Sequence, residues 1–141
     1  MRYIFIILSG LFFSTQVLSD DVTIEMLNKL GKERMIFSEK IVNVNAGDTV
    51  FWKATDKGHN VEFIKNGTPE GVEKFKSKLS EDTKYKFETP GIYAYWCTPH
   101  KALGMIGFVI VGDDKSNLDM IKKIRFFGQS KKLAQALIDQ I

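Results

Sequence analysis

The sequence is poor in the residues from which covalent cross-links and multi-ligand metal cages are built. Its 141 residues include one cysteine, which excludes an intramolecular disulfide and a metal cage made of cysteines alone. There are only two histidines and three prolines. With 44% hydrophobic and 26% charged residues, the chain is not disordered, collagenous or of low complexity. Any metal or thiol chemistry must therefore use very few residues.

The net charge is too small to indicate a nucleic-acid partner. Twenty Lys and Arg against 17 Asp and Glu give a formal charge of +3, and the two signs are mixed along the chain. The sequence also shows no acid–base pair, extra metal ligands or substrate pocket, so an enzyme is not expected. At the usual ~100–200 residues per domain, the length fits one domain.

An export signal is predicted over residues 1–19. Arg2 supplies a positive start, residues 3–13 form an almost unbroken apolar run, and small or modest residues lead to Ser19. The run is shorter than the ~20 residues that span a bilayer, so a cleaved signal is favoured over a membrane anchor. We therefore expect cleavage near Ser19, a periplasmic location and a single domain over residues 20–141.

Up to residue 112 the hydrophobic pattern is mostly that of β-strands. Val22, Ile24 and Met26 alternate with polar residues, and similar short segments recur between turn signals. Residues 105–111 are nearly all apolar, which indicates a strand buried on both faces. This pattern predicts an all-β fold of seven or eight strands, a β-sandwich or a barrel.

After residue 112 the period changes to that of helices. Capping residues precede an apolar spacing that predicts one helix over about 115–125, and a second amphipathic helix is predicted over 130–141. So short a segment cannot hold a core of its own, and both helices are expected to pack on the sandwich. The charged segment 69–76 is expected to be a surface loop or a single turn.

Every cysteine and histidine of the chain falls into two short loops. Cys97, His100 and Met105 lie between the last two strands, and His59 lies 38 residues before Cys97, between two others. A thiolate, two imidazoles and a weak thioether suit copper in both oxidation states. Zinc would use three of these groups and requires a fourth strong donor. The residues therefore favour a redox copper site.

Three other interpretations use the same residues differently. Cys97 could be an inert buried thiol, since free cysteine is among the most buried residue types. It could also be the nucleophile of a thiol enzyme, with His100 or His59 as the base. A copper-storage or copper-delivery module would use the same ligands and exchange the metal readily. Intense blue absorption at about 600 nm is the signature that would distinguish an electron carrier.

The sequence resembles the type I blue copper proteins, or cupredoxins, and within them the pseudoazurins. The likeness covers essentially the whole chain after residue 19, and its most specific segments are 56–62, 69–78, 97–105 and 117–119. The resemblance implies a Greek-key β-sandwich with two C-terminal helices packed against it. It further implies that His59, Cys97, His100 and Met105 bind one copper ion. It also implies that Asn60 ties the two ligand loops together.

The same resemblance implies a soluble one-electron carrier without catalytic turnover. A cytochrome or a quinol-fed donor would supply the electron, and a terminal reductase such as copper nitrite reductase would accept it. Lys57 and Lys101 flank the ligand loops and are expected to steer an acidic partner to them. His100 is expected to form the exposed edge of the site, and His59 to be buried and hydrogen-bonded. Trp96 and residues 101–103 depart from the family pattern.

A wall of aromatic side chains is expected to keep water from the site. Apolar surroundings shield a copper–sulfur bond and raise the cost of adding charge. Most of these rings would also serve as ordinary core of the sandwich. The candidates are Phe51, Trp52, Phe63, Tyr93, Tyr95, Trp96 and Phe108.

Overall fold

Within residues 21–141, eight β-strands form two four-stranded sheets that pack face to face. The computed structural model describes residues 21–141, so the export signal predicted over 1–19 lies outside the described residues. In the first sheet the strand order is β2-β1-β4-β6, and in the second it is β3-β8-β7-β5. The strands are β1 (Val22–Leu30), β2 (Glu33–Phe37), β3 (Ile41–Val44), β4 (Thr49–Lys53), β5 (Glu62–Phe63), β6 (Thr83–Lys86), β7 (Gly91–Trp96) and β8 (Ile106–Val111).

The predicted β-sandwich with two C-terminal helices is confirmed. Two of the strand pairs, β1 with β4 and β3 with β8, are parallel, while the other named pairs are antiparallel. Parallel neighbours cannot be joined by a tight hairpin. The chain therefore crosses from one sheet to the other between them, and this crossing brings distant loops to the same end of the sandwich.

Period-two alternation divides the buried side chains between two cores. In β7, Tyr93 and Tyr95 enter the core between the sheets, whereas Ile92 and Ala94 face away from it. The outward side chains are covered by the C-terminal segment, including the buried Ile121. Strand β8 is buried along its whole length, as predicted, because one face meets the opposite sheet and the other meets the helices.

The first C-terminal helix is much shorter than predicted. Helix α1 spans only Leu118–Ile121, instead of about 115–125. Ile121 and Phe126 are both buried against the sheet. Residues five apart lie about 140° apart around an ideal helix, so a continuous helix would place the two side chains on different faces. By leaving the helix after Ile121, the chain brings both into the same core.

Asn117, one of the residues expected to cap this helix, occupies the N-cap position of α1 but makes no side-chain capping bond. The Asn117 side chain accepts a hydrogen bond from the Ile92 N–H at 2.9 Å and donates one to the Ile92 carbonyl at 2.8 Å, so it fastens α1 to β7 instead of capping. Helix α2 spans Ser130–Ile138, a turn less than the predicted 130–141. Within the described part of the chain, none of the helices has the length and hydrophobicity needed to cross a membrane.

Segment 69–76 contains a turn, as predicted, but continues as an extended stretch beside β5. The Phe63 N–H donates to the Phe75 carbonyl at 2.9 Å, and Lys76 forms an isolated antiparallel bridge with Glu62. The stretch thus covers the exposed edge of a strand that is only two residues long. At this edge, the Glu62 side chain faces the loop that carries the cysteine.

Candidate metal centre

Two loops at one end of the sandwich bring the cysteine and both histidines together. His59 lies in the β4–β5 loop, Cys97 directly follows β7, and His100 ends a single 3-10 turn, Thr98–His100. The Cys97 Sγ lies 3.7 Å from His59 Nδ1 and 3.4 Å from His100 Nδ1, and the two Nδ1 atoms are 3.1 Å apart. Within residues 21–141, no other group of three or more Cys, His, Asp or Glu side chains converges so closely.

The loop that carries three of the predicted ligands is closed by its own backbone. The Cys97 N–H donates to the Met105 carbonyl at 3.0 Å, and the His100 N–H donates to the Cys97 carbonyl at 3.1 Å. Pro99 starts the turn, and Gly104, with φ of +99°, makes the left-handed bend that returns the chain to Met105. Met105 is fully buried in the core that contains Cys97.

The aromatic wall is smaller than the sequence predicts. Trp52, Phe63, Tyr93 and Tyr95 belong to the same core as Cys97. The other three candidates do not contribute: Phe51 is only half-buried, and Trp96 and Phe108 face the core beneath the helices. Trp96 follows Tyr95 and Phe108 precedes Val109, and both of those neighbours point into the core between the sheets. Because successive side chains of a strand point to opposite faces, Trp96 and Phe108 point away from that core.

Asn60 links the two loops directly. Its Oδ1 accepts a hydrogen bond from the Thr98 N–H at 2.8 Å, and its Nδ2 donates to the Thr98 hydroxyl at 3.0 Å and to the Ser77 carbonyl at 3.3 Å. The side chain is buried, being only 1% exposed. The histidine of one loop is therefore held at a constant distance from the cysteine of the other.

A residue that the sequence analysis missed orients His59. The Asn28 Oδ1 lies 2.9 Å from His59 Nε2. An amide oxygen only accepts, so Nε2 carries the proton and Nδ1 keeps a lone pair directed at the cysteine. Asn28 is itself fixed by its N–H, which donates to Asp56 Oδ2 at 2.7 Å. The sequence hint for this contact was only that Asn28 lies on the same face of β1 as the buried Met26.

Burial controls the protonation of the three donor groups. Burial lowers the pKa of His59, the neighbouring His100 lowers it further, and Asp56 opposes the shift. Burial also lowers the pKa of His100. It raises the pKa of the Cys97 thiol, an effect partly offset by backbone hydrogen bonds at Asn60 and His100. The imidazoles are therefore neutral and ready to bind a metal, whereas a buried thiol of raised pKa is a poor nucleophile.

The metal-free protein is expected to lose stability as the pH falls from about 7.5 to 5.5. Both histidines have a lowered pKa in the folded state, so below the ordinary value of 6.5 the unfolded state binds more protons. For a histidine that stays neutral when folded, the slope is about 1.4 kcal/mol per pH unit. Urea unfolding at both pH values measures the loss. Replacing His59 with glutamine should reduce the dependence of the unfolding free energy on pH. An unchanged dependence would contradict a lowered pKa of His59 as its cause.

Lys101, one of the two lysines expected to guide a partner, is held between two aromatic rings. Its Nζ lies 5.1 Å from the centroid of the Trp96 ring and 5.5 Å from that of Phe127. Phe127 comes from the segment between the two helices and had no role in the sequence interpretation. Lys57 is exposed. Of the expected pair, Lys57 is therefore the less restrained charge.

Comparisons with known proteins agree with this site. A family model of copper-binding proteins, the plastocyanin/azurin family, matches residues 24–112. Pseudoazurin from Methylorubrum extorquens is 36% identical over 123 residues, which cover 87% of this chain and 80% of that protein. Pseudoazurin from Paracoccus pantotrophus is 41% identical over 118 residues, which cover 84% of this chain and 81% of the relative.

Comparison of the backbone with solved structures also finds a pseudoazurin. The refined crystal structure of pseudoazurin from Methylobacterium extorquens AM1 matches with a TM-score of 0.82 at 35% identity, over 86% of this chain and 98% of that one. The match extends beyond residue 112 and so includes helices that the family model does not cover. With its buried cysteine, paired imidazoles and C-terminal helices, the chain belongs to the cupredoxins, the plastocyanin/azurin family of copper-binding proteins, and within them to the pseudoazurins.

Proposed function

We propose that this protein is a one-electron carrier whose copper ion is held by His59, Cys97, His100 and Met105. The observation that carries the proposal is the convergence of the cysteine sulfur and two imidazole nitrogens within 4.8 Å of one another. When bound, copper supplies a Cu(II)/Cu(I) couple. Thiolate and thioether donors favour the reduced ion, and imidazoles accept the oxidised one.

The two histidines have different roles in this proposal. His59 is fully buried and bonded to Asn28, so it anchors the site from within the β4–β5 loop. His100 is partly exposed, on a loop whose neighbours Ala102 and Leu103 are exposed. Electrons would therefore enter and leave through the His100 ring. Hydrogen bonds that close the cysteine loop hold the backbone of His100, and the bond to Asn28 holds the His59 ring, so little nuclear rearrangement would accompany a change of oxidation state.

No catalytic turnover is part of the proposal. A thiol enzyme would need Cys97 as an accessible thiolate, but Cys97 is fully buried and burial raises the pKa of its thiol. A copper-delivery module would use the same ligands and differ in how readily it gives up the metal. His59, Cys97 and Met105 are all fully buried, which fits retention of the metal better than ready delivery.

A visible absorption spectrum tests the function. After the purified protein is incubated with cupric salt, we expect intense absorption at about 600 nm from thiolate-to-copper charge transfer, and bleaching on reduction. The colour should persist in the presence of a moderate chelator. A colourless product would contradict a type I copper site, and rapid loss of copper to the chelator would favour the delivery module.

Replacing Met105 with leucine should retain copper and raise the reduction potential. The thioether is the weak fourth donor in the proposed site. Although a thioether suits Cu(I), three donors are enough for the reduced ion, whereas the oxidised ion loses more when the fourth donor is removed. Leucine has a similar volume, so the buried position should stay filled at a cost below about 1.5 kcal/mol. Spectroelectrochemical titration measures the potential. An unchanged potential and spectrum would contradict axial ligation by Met105.

The export signal and the compartment are also proposed. Residues 1–19 would direct the chain to the periplasm and be removed near Ser19, leaving the domain of residues 20–141. The support is the order of a basic start, an apolar run and small residues. In that compartment a cytochrome would serve as the donor, and copper nitrite reductase as the acceptor. The support for these partners is the resemblance to the pseudoazurins.

Lys57 is proposed to guide the acceptor to the copper end together with Lys101. Replacing Lys57 with glutamate should lower the second-order rate of electron transfer to nitrite reductase by about tenfold at low salt and weaken its dependence on ionic strength. Lys115, an exposed lysine in the loop that follows β8 at the other end of the sandwich, is the matched control. Stopped-flow kinetics at several salt concentrations measure both. Equal effects of Lys57→Glu and Lys115→Glu would contradict the docking role.

A further inference from the structure

The Glu62 carboxylate accepts two hydrogen bonds from the chain around the cysteine. Its Oε2 lies 2.7 Å from the Thr98 hydroxyl and 3.1 Å from the Trp96 indole nitrogen, both of which donate to it. Its Oε1 forms an ion pair with Lys76 at 3.4 Å. Trp96 and Thr98 immediately precede and follow Cys97, so one oxygen atom holds both chain neighbours of the sulfur ligand.

These bonds continue the sheet beyond its last backbone pair. Strand β5 pairs with β7 at only two positions, and Glu62 opposite Trp96 is the one nearer the site. Beyond it, the backbone of the cysteine loop has no partner strand on this side. Past that point side chains join the two segments: Glu62 accepts from the Trp96 and Thr98 side chains, and Asn60 Oδ1 accepts from the Thr98 N–H.

The carboxylate also accepts the single proton of the hydroxyl through which the two ligand loops are joined. The Thr98 hydroxyl has one proton, and it donates that proton to Glu62. Its lone pairs are then free to accept from Asn60 Nδ2 at 3.0 Å. Burial acts to raise the pKa of Glu62, but the bonds from Thr98 and Trp96 and the charge of Lys76 outweigh it, so the pKa is lowered overall.

Trp96 is restrained on its ring face as well. The Lys101 ammonium lies over the indole at 5.1 Å, and the Phe127 ring centroid is 6.1 Å from that of Trp96. The indole edge is fixed by Glu62. Trp96, which departs from the family pattern, therefore has little rotational freedom. Its bond to Glu62 connects it to the loop that carries the cysteine.

We infer that Glu62 is a positioning residue of the copper site, which holds the Cys97 sulfur through Trp96 on one side and Thr98 on the other. This inference rests on the proposed copper function. Glu62 itself touches none of the proposed ligands. Its effect is on the geometry of the copper–sulfur bond, so the spectrum and the copper affinity should respond to its loss together.

The test compares Glu62→Ala, Glu62→Gln and the control Glu70→Ala, which removes an exposed carboxylate from the neighbouring loop. Glu62→Ala leaves two donors without an acceptor, and we expect cupric affinity to fall about 10–100-fold, with a changed charge-transfer band. In Glu62→Gln the amide oxygen can accept both bonds, so affinity should stay within about threefold of the wild type and the band should be unchanged. Competition with a chelator and visible spectroscopy give both readouts.

Three results would overturn the inference while leaving the function intact. The first is a blue wild type whose Glu62→Ala variant has the same affinity and band. The second is reduced affinity with an unchanged band, which shows a general loss of stability. The third is a glutamine variant as defective as the alanine variant. A colourless wild type would instead contradict the copper function itself.

A second pair of variants covers the case in which Glu62→Ala does not fold. Trp96→Phe keeps the ring beneath Lys101 and removes only the N–H, and Thr98→Val removes only the hydroxyl in a similar volume. Each should change the band, and urea unfolding of the metal-free forms shows whether the fold is intact. Wild-type spectra and affinities for both folded variants would overturn the inference.

Discussion

Replacing Cys97 with serine should abolish the intense visible absorption of the copper-loaded protein and lower copper affinity more than about 100-fold. The thiolate is the strongest donor of the proposed site and the origin of the charge-transfer band. A serine oxygen is a hard donor that stays protonated at neutral pH, so neither Cu(I) nor the blue colour is supported. Titration with cupric salt in the presence of a chelator measures the affinity, and the spectrum measures the colour.

The serine variant should still fold. Cys97 is fully buried, and its backbone N–H donates to the Met105 carbonyl, a bond that the substitution does not alter. The serine hydroxyl can bond to His59 or His100, whose Nδ1 atoms lie 3.7 and 3.4 Å from the sulfur in the wild type. Far-ultraviolet circular dichroism should match that of the metal-free wild type. A blue, tightly bound cupric form of the serine variant would rule out Cys97 as the ligand.

The second large effect is expected in the core between the sheets. Gly107→Ala should lower the free energy of unfolding by about 1–3 kcal/mol. Gly107 in β8 pairs with Tyr95 in β7, and the tyrosine ring lies over the glycine. A Cβ at this position would lie 2.4 Å from Tyr95 Cζ and Oη. The ring cannot move easily, because it packs edge-on against Phe37 and Trp52, with centroids 4.9 and 5.3 Å away.

Urea unfolding of the metal-free proteins measures this loss, and a double-mutant cycle identifies its cause. In a Tyr95→Ala background the added methyl group has space, so Gly107→Ala should cost much less there than in the wild type. Equal costs in the two backgrounds would show that the ring is not responsible. Because Tyr95 lies two residues before Cys97, a displaced ring should also broaden the charge-transfer band of the copper-loaded Gly107→Ala variant.

The site was predictable from the sequence to the extent that it is local. Cys97, His100 and Met105 lie within nine consecutive residues, and a short loop between two strands can only direct their side chains into one region. His59 was included in this group because the chain has only two histidines and because of the family resemblance. The structure places its ring beside Cys97. Period-two alternation likewise predicted the strands, because burial on a sheet face repeats every second residue.

The errors occurred where tertiary packing overrides a local pattern. The apolar spacing at 115–125 fits a helix, but the need to bury both Ile121 and Phe126 ends α1 after four residues. Asparagine is a favoured capping residue, but the Asn117 side chain bonds to the backbone of Ile92 in β7. Local propensity contributes only fractions of a kcal/mol per residue, less than the burial of one large side chain, so packing decides the outcome.

The amino-acid sequence alone determined the strand pattern and the cysteine loop with its three candidate donors, since each depends on neighbours within a few positions. The tertiary structure decided which residues hold those donors in place. Asn28 meets His59 across 31 positions, Glu62 meets Thr98 across 36, and Phe127 reaches Lys101 from beyond the sandwich. Such contacts leave no periodic trace, because they arise only when separate strands and loops are packed side by side.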